Sequence, residues 1–445
     1  MPKELAQGNI PRQLLTLAVP LIIGNILQQL YNTIDALVAG RFIGTEAFAA
    51  IGVASSVMNL FIFVISGGCT GVGIIWAQFY GQKDWLSFRN EGFLAFAVGT
   101  AFTILISAAG WYATDDVLRL ISTPPEIIPS LKIYLQIIFA GLLTTFLYNY
   151  CSVLLRAVGD TFMALFFLAV AMFLNLLLDL LFVAALQWGI GGAAWATVLA
   201  QLCAALCCYI YLRRRLPQLL FGKDDCKIDC KLLRRTCGYA LATAMHNSNL
   251  YIGKLLVQGA VNSCGVGMVA AYTAAGRLEG FVNSFGDSGT AALNIFIAQN
   301  IGALRPDRVR RGFFTGLKLL VLFGAASSLL LYAGAPAGIA FMLGTGVGES
   351  WLQGVEYMQT VALFYFLCFT GNALAGYFEG YGRLALPTIG ATGHIALRAL
   401  LAYLFIGEYG LISVAYATGV GWLCVVCFWS WAARKSLRSH AKGGD

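Results

Sequence analysis

Two carboxylates stand inside long apolar stretches of the first half of the chain: Asp35 in PLIIGNILQQLYNTIDALVAG (20–40) and Asp179 in AMFLNLLLDLL (171–181). Around Asp35, the polar residues Asn25, Gln28, Gln29 and Asn32 recur so that all five fall within roughly a third of a helix circumference. Asn175 precedes Asp179 by four residues, which puts both on one helix face, and Thr197 and Gln201 are related in the same way. Two carboxylates, an amide oxygen and a hydroxyl are hard donors that suit a small cation such as Na+. Equally, two neighbouring carboxylates do not both ionise cheaply, so one of them can carry a proton near neutral pH. The residue types leave both readings open, together with a third in which the cluster only hydrogen-bonds helices to one another. A charge at the bilayer centre costs roughly 2.5–3.5 kcal/mol on insertion scales, so such groups are candidates for function.

The second half is built differently. Its apolar segments carry Lys254, Arg277, Glu279 and Asp287, and the opposite signs predict internal neutralisation, Lys254 with Glu279 or with Asp287. Structural pairing and substrate-linked pairing fit that pattern equally well. Arg398 has no evident partner, and Glu379 with Arg383 falls at the end of the tenth segment, where a loop role is expected. Tyr31, Tyr148, Tyr150, Phe281 and Phe285 are candidate linings for a cavity that takes flat organic cations, as are the polar Gln28, Asn32 and Gln201.

Other chemistry finds no support. There is no GxxxxGK[ST] phosphate loop, no HExxH and no GxSxG elbow, and the only histidines are His246, His394 and His440. Cys226 and Cys230 are four apart without a second pair or a histidine, too thin a pattern for a zinc site. The chain is therefore read as a non-enzyme with no cofactor beyond a coupling ion, H+ or Na+.

The elements that must hold these groups follow from composition. Hydrophobic residues make up 59%, charged residues 11%, and mean hydropathy is +0.76, against about 25% charged in ordinary soluble chains. Uninterrupted apolar runs, not alternating ten-residue segments, specify helices and exclude a barrel. The net charge of +8 sits in short loops between those runs, which argues against nucleic acid. Most of the 12 cysteines lie inside apolar segments, where they act as small hydrophobes. The start, MPKELAQGNIPRQ, lacks a cleavable leader pattern, so the first helix is expected to be retained.

Twelve segments emerge. In the first half they cover about 14–39, 48–78, 92–112, 131–155, 162–186 and 190–212. In the second half they cover about 236–261, 267–298, 312–334, 351–378, 384–406 and 410–432. The expected organisation is a six-helix bundle over 1–212, a cytoplasmic connection over 213–235, a second bundle over 236–432 and a basic tail over 433–445. With the N-terminus cytoplasmic, 22 Lys and Arg fall inside against three outside (Arg41, Arg119, Lys132), so both termini are expected in the cytoplasm. Under that orientation Asp35, Asp179 and Thr197 lie at similar depth, toward the outer side.

An internal repeat supports the two halves. Ala77-Gln78, Gly81 and Arg89 recur 221 residues later at Ala298-Gln299, Gly302 and Arg310. The same offset relates Gly44 to Gly265, Ala49-Ala50 to Ala270-Ala271, and Gly189 with Ala196-Thr197 to Gly410 with Ala417-Thr418. Even-numbered halves share one orientation, which predicts an all-α polytopic membrane protein of twelve transmembrane helices in two bundles related by a pseudo-two-fold axis along the membrane normal. The offset carries Asp35 onto Leu256, so the duplication is lopsided in its acids.

These features, with LYNTIDALVAGRFIG in the first helix and the paired AQ-x-x-G segments, resemble the multidrug and toxic compound extrusion transporters along essentially the whole chain. The resemblance implies two six-helix bundles around a central cavity, and export of organic cations and other drugs in exchange for Na+ or H+. It further implies that Asp35 is the coupling acid, that Asn175, Asp179 and Thr197 complete its cation site, and that Pro20 bends the first helix. The chain departs from the branch with acids on helices 7 and 10, since helix 7 offers Lys254. The expected setting is the bacterial inner membrane, as a monomer in the lipid bilayer, with small organic, cationic substrates; Lys254, Glu279 and Asp287 are candidates for the cavity wall. Alternatives are a lipid-linked oligosaccharide flippase of the same superfamily and a non-transporting membrane scaffold.

Overall fold

The computed structural model describes residues 4–42, 45–120 and 128–442, with the side chains of 31–42, 45–50 and a few scattered positions excepted. All regular structure in that range is helical. Helices α1 (Ile10–Phe42), α2 (Thr45–Gln82), α3 (Trp85–Tyr112), the short α4 (Thr114–Leu120), α5 (Ile128–Ala157), α6 (Thr161–Asp179) and α7 (Gly189–Arg215) form the first series. After a connection come α8 (Cys230–Asn262), α9 (Val266–Gly302), α10 (Pro306–Leu343), α11 (Glu349–Ala362), α12 (Tyr365–Gly380), α13 (Ala385–Tyr409) and α14 (Leu411–Lys442).

Among the described residues nine helices are long and apolar enough to cross a membrane, or ten if α11 and α12 form one span bent by 50°. The protein is an all-α, multi-pass membrane protein. The difference from twelve expected segments lies in α8 and α9, whose 33 and 37 residues give ample length. These two helices carry Lys254, Arg277, Glu279 and Asp287, and their polar content removes them from the apolar class.

The repeat is written into the backbone. Lys83 between α2 and α3 adopts φ 58, and Leu304 between α9 and α10 adopts φ 54, 221 residues on. Each is followed by the same closing bond, Asp84 N to Phe79 O at 3.1 Å and Arg305 N to Asn300 O at 2.9 Å. A left-handed conformation at a non-glycine residue is uncommon, so its recurrence at twin positions marks the same turn made twice. Gly189 and Gly410, at φ 61 and 58, open α7 and α14 in the same manner.

Two compact units are present, and their limits differ from the expected division. One comprises Met1–Glu4 and Ile23–Ala244; the other comprises Leu5–Ile22 and Met245–Asp445. Helices α1 and α8 each change units near their middle, at points 222 residues apart. The change in α1 falls just after Pro20, which sits inside the helix and withholds one backbone donor from it.

In the first unit, α5 packs on α7, α2 and α3, and the opening half of α8 lies along α2. Gly67 and Gly71 permit that approach, because a Cβ at Gly71 would stand 2.5 Å from Tyr239 O and one at Gly67 2.7 Å from Ala244 Cα. Small residues one turn apart are how membrane helices come close. Thr243 Oγ1 donates to Gly67 O at 2.7 Å, Arg235 donates to Gln78, and Thr236 Oγ1 donates to the fully buried Glu91 at 2.8 Å. In the second unit the arm before α1 is held in parallel fashion. Leu5 N donates to Gln299 Oε1 at 3.3 Å, and Arg308 donates to Leu5 O, Gly8 O and Gln13 Oε1 at 2.9–3.0 Å. Gln78 and Gln299, the repeated glutamines, thus each anchor an incoming segment.

Candidate functional site

α6 is an almost unbroken apolar run whose inward face carries Asn175 and Asp179, 1% and 2% exposed. The helix packs on α7, which places Thr197, itself 9% exposed, beside them. Asn175 Nδ2 donates to Thr197 Oγ1 at 3.3 Å, and Thr197 Oγ1 donates to Ala193 O at 3.1 Å. Directly after Asp179 the chain widens into a π-helical stretch, Leu180–Ala185, with Leu186 N bonded to Leu181 O at 2.8 Å. Such bulges recur at functional sites because they re-aim side chains within a helix. Three of the four residues expected to form the cation site are thus buried on adjoining helices, two of them in contact.

The fourth, Asp35, lies on α1, but its side chain is outside the described residues, as are those of Tyr31 and Asn32. Gln28, earlier on the helix, is exposed. α1 approaches α6 at Gly24, where a Cβ would meet Leu168 at 3.3 Å. Gln201 is half-buried on α7. It accepts a hydrogen bond from Thr145 of α5, and with Thr145, Thr197, Met58 and Phe61 it lines a small pocket inside the first unit. Tyr150 is likewise a packing residue, its hydroxyl bonded to Gly92 O at 2.9 Å and its ring edge-on to Trp76.

In the second unit Lys254 and Asp287 are exposed, and among the described residues neither Lys254–Glu279 nor Lys254–Asp287 forms an ion pair. One oxygen of Glu279 instead accepts from the Tyr365 hydroxyl at 3.3 Å, while its Oε1 is buried without a hydrogen bond. Arg398 finds Tyr272, donating to its hydroxyl at 3.3 Å, and Tyr272 stacks edge-on against Tyr357. Glu379 is no loop residue; it is 9% exposed and accepts from Asn294 Nδ2 at 3.0 Å. Sequence reasoning missed these tyrosines because an aromatic in a membrane helix reads as lipid-facing. It missed Glu91 because that residue falls one position outside the apolar run, although an acid so close to 21 uncharged residues was a signal.

No group of three or more His, Cys, Asp or Glu converges among the described residues. Any cation held at Asn175, Asp179 and Thr197 would therefore rest on mixed carboxylate, amide and hydroxyl oxygens, the donor set of a weakly held, exchangeable ion. Cys226 and Cys230 are free and exposed.

Duplicated helical halves that span a membrane, with a buried oxygen-bearing cluster in one of them, have the build of a secondary transporter. The MatE family model matches residues 20–181 and 242–404, once in each half, and the chain belongs to this family. It is 26% identical over 438 residues to a probable multidrug resistance protein, YpnP, of Bacillus subtilis, covering 95% of both chains. A second Bacillus subtilis probable multidrug resistance protein, YoeA, is 28% identical over 405 residues, covering 87% of this chain and 85% of that one. In fold, the chain is similar to the outward-facing conformation of a multidrug resistance MATE family transporter of the MOP superfamily, with TM-score 0.91, 19% identity and 98% of each chain covered.

Proposed function

We propose that the protein is a secondary active antiporter that exports organic cations, drugs or related metabolites in exchange for H+ or Na+ by alternating access. The observation that carries this reading is the convergence of Asn175, Asp179 and Thr197, all nine-tenths or more buried, on adjoining helices of the first unit. An acid held so deep in an apolar bundle is retained at a cost of a few kcal/mol, which function offsets. The coupling ion binds at this cluster together with Asp35, neutralises it and lets α1 bend at Pro20, so that substrate leaves outward. Gln28, Tyr31, Asn32, Lys254, Glu279 and Asp287 contribute to the substrate path. The charge distribution supports cytoplasmic termini, and the proposed setting is a monomer in the bacterial inner membrane.

The test is gradient-driven efflux of an ethidium-like dye from liposomes containing the purified protein, with H+ and Na+ gradients imposed separately. Asp35→Asn is expected to abolish export while leaving the protein folded. Undiminished export by that variant sinks the mechanism.

A further inference from the structure

The two halves differ at one pair of twin arginines. Arg89, near the start of α3, is bound by Asp225 of the connection, Nε to Oδ2 at 2.9 Å. The 221-residue offset carries Arg89 onto Arg310 and Asp225 onto Glu4, so the acid is present in both halves of the sequence. Glu4 does not serve Arg310. It pairs with Lys83 at 2.8 Å and belongs to the other unit. Arg310 and its neighbour Arg311 are exposed, and neither has a hydrogen bond or ion pair among the described residues. Both line an open cavity of about 640 Å³ with Ile10, Pro11, Asp307 and Phe314. Asp307 is the one carboxylate on that wall, against two guanidiniums.

We propose that this cavity binds the phosphate headgroup of an anionic phospholipid, which takes the place that Asp225 fills in the first half. Three observations set the ligand class. Guanidiniums present planar forks that match a phosphate. The cavity lies where two membrane-length helices begin, Ile10–Leu30 and Pro306–Leu343, the level at which basic pockets between such helices meet lipid headgroups. Phe314, 49% exposed, adjoins the arginines one turn further along α10 and offers apolar surface to an acyl chain, which a free anion would not use. Arg308, in the same turn, is already committed to the arm before α1.

The experiment is native mass spectrometry of the full-length protein in zwitterionic detergent, titrated with phosphatidylglycerol or phosphatidylcholine, with glycerol 3-phosphate as a soluble competitor. The wild type is expected to retain one phosphatidylglycerol under activation that strips phosphatidylcholine. Arg310→Gln with Arg311→Gln should weaken that retention about thirtyfold. Arg310→Lys with Arg311→Lys should keep most of it, and Arg434→Gln in the exposed tail should change nothing. Wild-type retention by a monodisperse double Gln variant overturns the site. Displacement of the lipid by equimolar glycerol 3-phosphate overturns the lipid assignment. If the double Gln variant does not fold, Arg311→Gln alone is judged on the same criterion.

Discussion

The first unit gathers Asn175, Asp179 and Thr197 on two adjoining helices, whereas the second spreads Lys254, Arg277, Glu279, Asp287 and Arg398 along three and gives two of them one tyrosine hydroxyl each. One duplicated framework has thus been given two electrostatic characters. The first unit's buried acid, Asp179, shares a helix face with Asn175, which is hydrogen-bonded to Thr197 of α7, so one carboxylate stands among neutral oxygen-bearing groups. In the second unit Glu279 and Arg398 each meet a neutral tyrosine hydroxyl, so losing that tyrosine removes a hydrogen bond and not a counter-charge.

The largest effect that separates these readings is on transport. Asp179→Asn is expected to bring gradient-driven dye efflux in proteoliposomes down to the level of protein-free liposomes, and Glu279→Gln to leave a measurable fraction. Equal loss in both would place the second unit's acid in the coupling step and end the contrast. Next comes the seam where α8 enters the first unit. Gly71→Leu is expected to cost about 3 kcal/mol, the upper end for overpacking, read as a lower unfolding temperature in detergent. The twin position is Ala292, 2% exposed, so the second unit already accommodates a methyl group there. Ala292→Gly should cost only about 1 kcal/mol.

A smaller effect is expected at Thr236→Val, which removes the donor to Glu91 and leaves a fully buried carboxyl without that bond. About 1–2 kcal/mol of stability should be lost, with no parallel in the second half, where Gly312 occupies the position of Glu91. The smallest is electrostatic. Burial alone would raise the Asp225 carboxyl, but hydrogen bonds from Arg89 and Gly222 N, with the charges of Arg89 and Lys227, hold it below its ordinary 3.8. A depressed carboxyl stabilises the fold above its unfolded value and loses that contribution as pH falls through the folded one. Acid unfolding below about pH 4 should therefore be less steep in Asp225→Asn, by under about 1 kcal/mol for a partly solvated pair at the edge of a loop. An unchanged acid limb would show that the Arg89–Asp225 bond carries no stability.

Periodicity and composition made the helices legible, and the 221-residue offset made the duplication legible before any coordinate. Asn175 and Thr197 were legible as partners because each sits four residues from another polar group on an otherwise apolar helix. What the sequence hid is where α1 and α8 change units. Apolar spacing reports which face of a helix is buried, and is silent on what buries it, so a helix that serves two cores reads as one span. The pairing of Glu279 with Tyr365, not Lys254, was hidden for a related reason: charge signs suggest partners, but only packing fixes which side chains meet.

That change of units bears on how such a chain arose. Neither run of six helices is self-sufficient, since the segment completing each core, 230–244 for the first and 5–22 for the second, is encoded in the other half. A single-copy ancestor could have closed the same cores only by lending its leading segment to a second copy and receiving one in return. On this geometry, joining two such copies in tandem would convert an exchanged dimer into one polypeptide. Cutting the chain in the 216–229 connection should then give two pieces that assemble when co-expressed and aggregate when made alone.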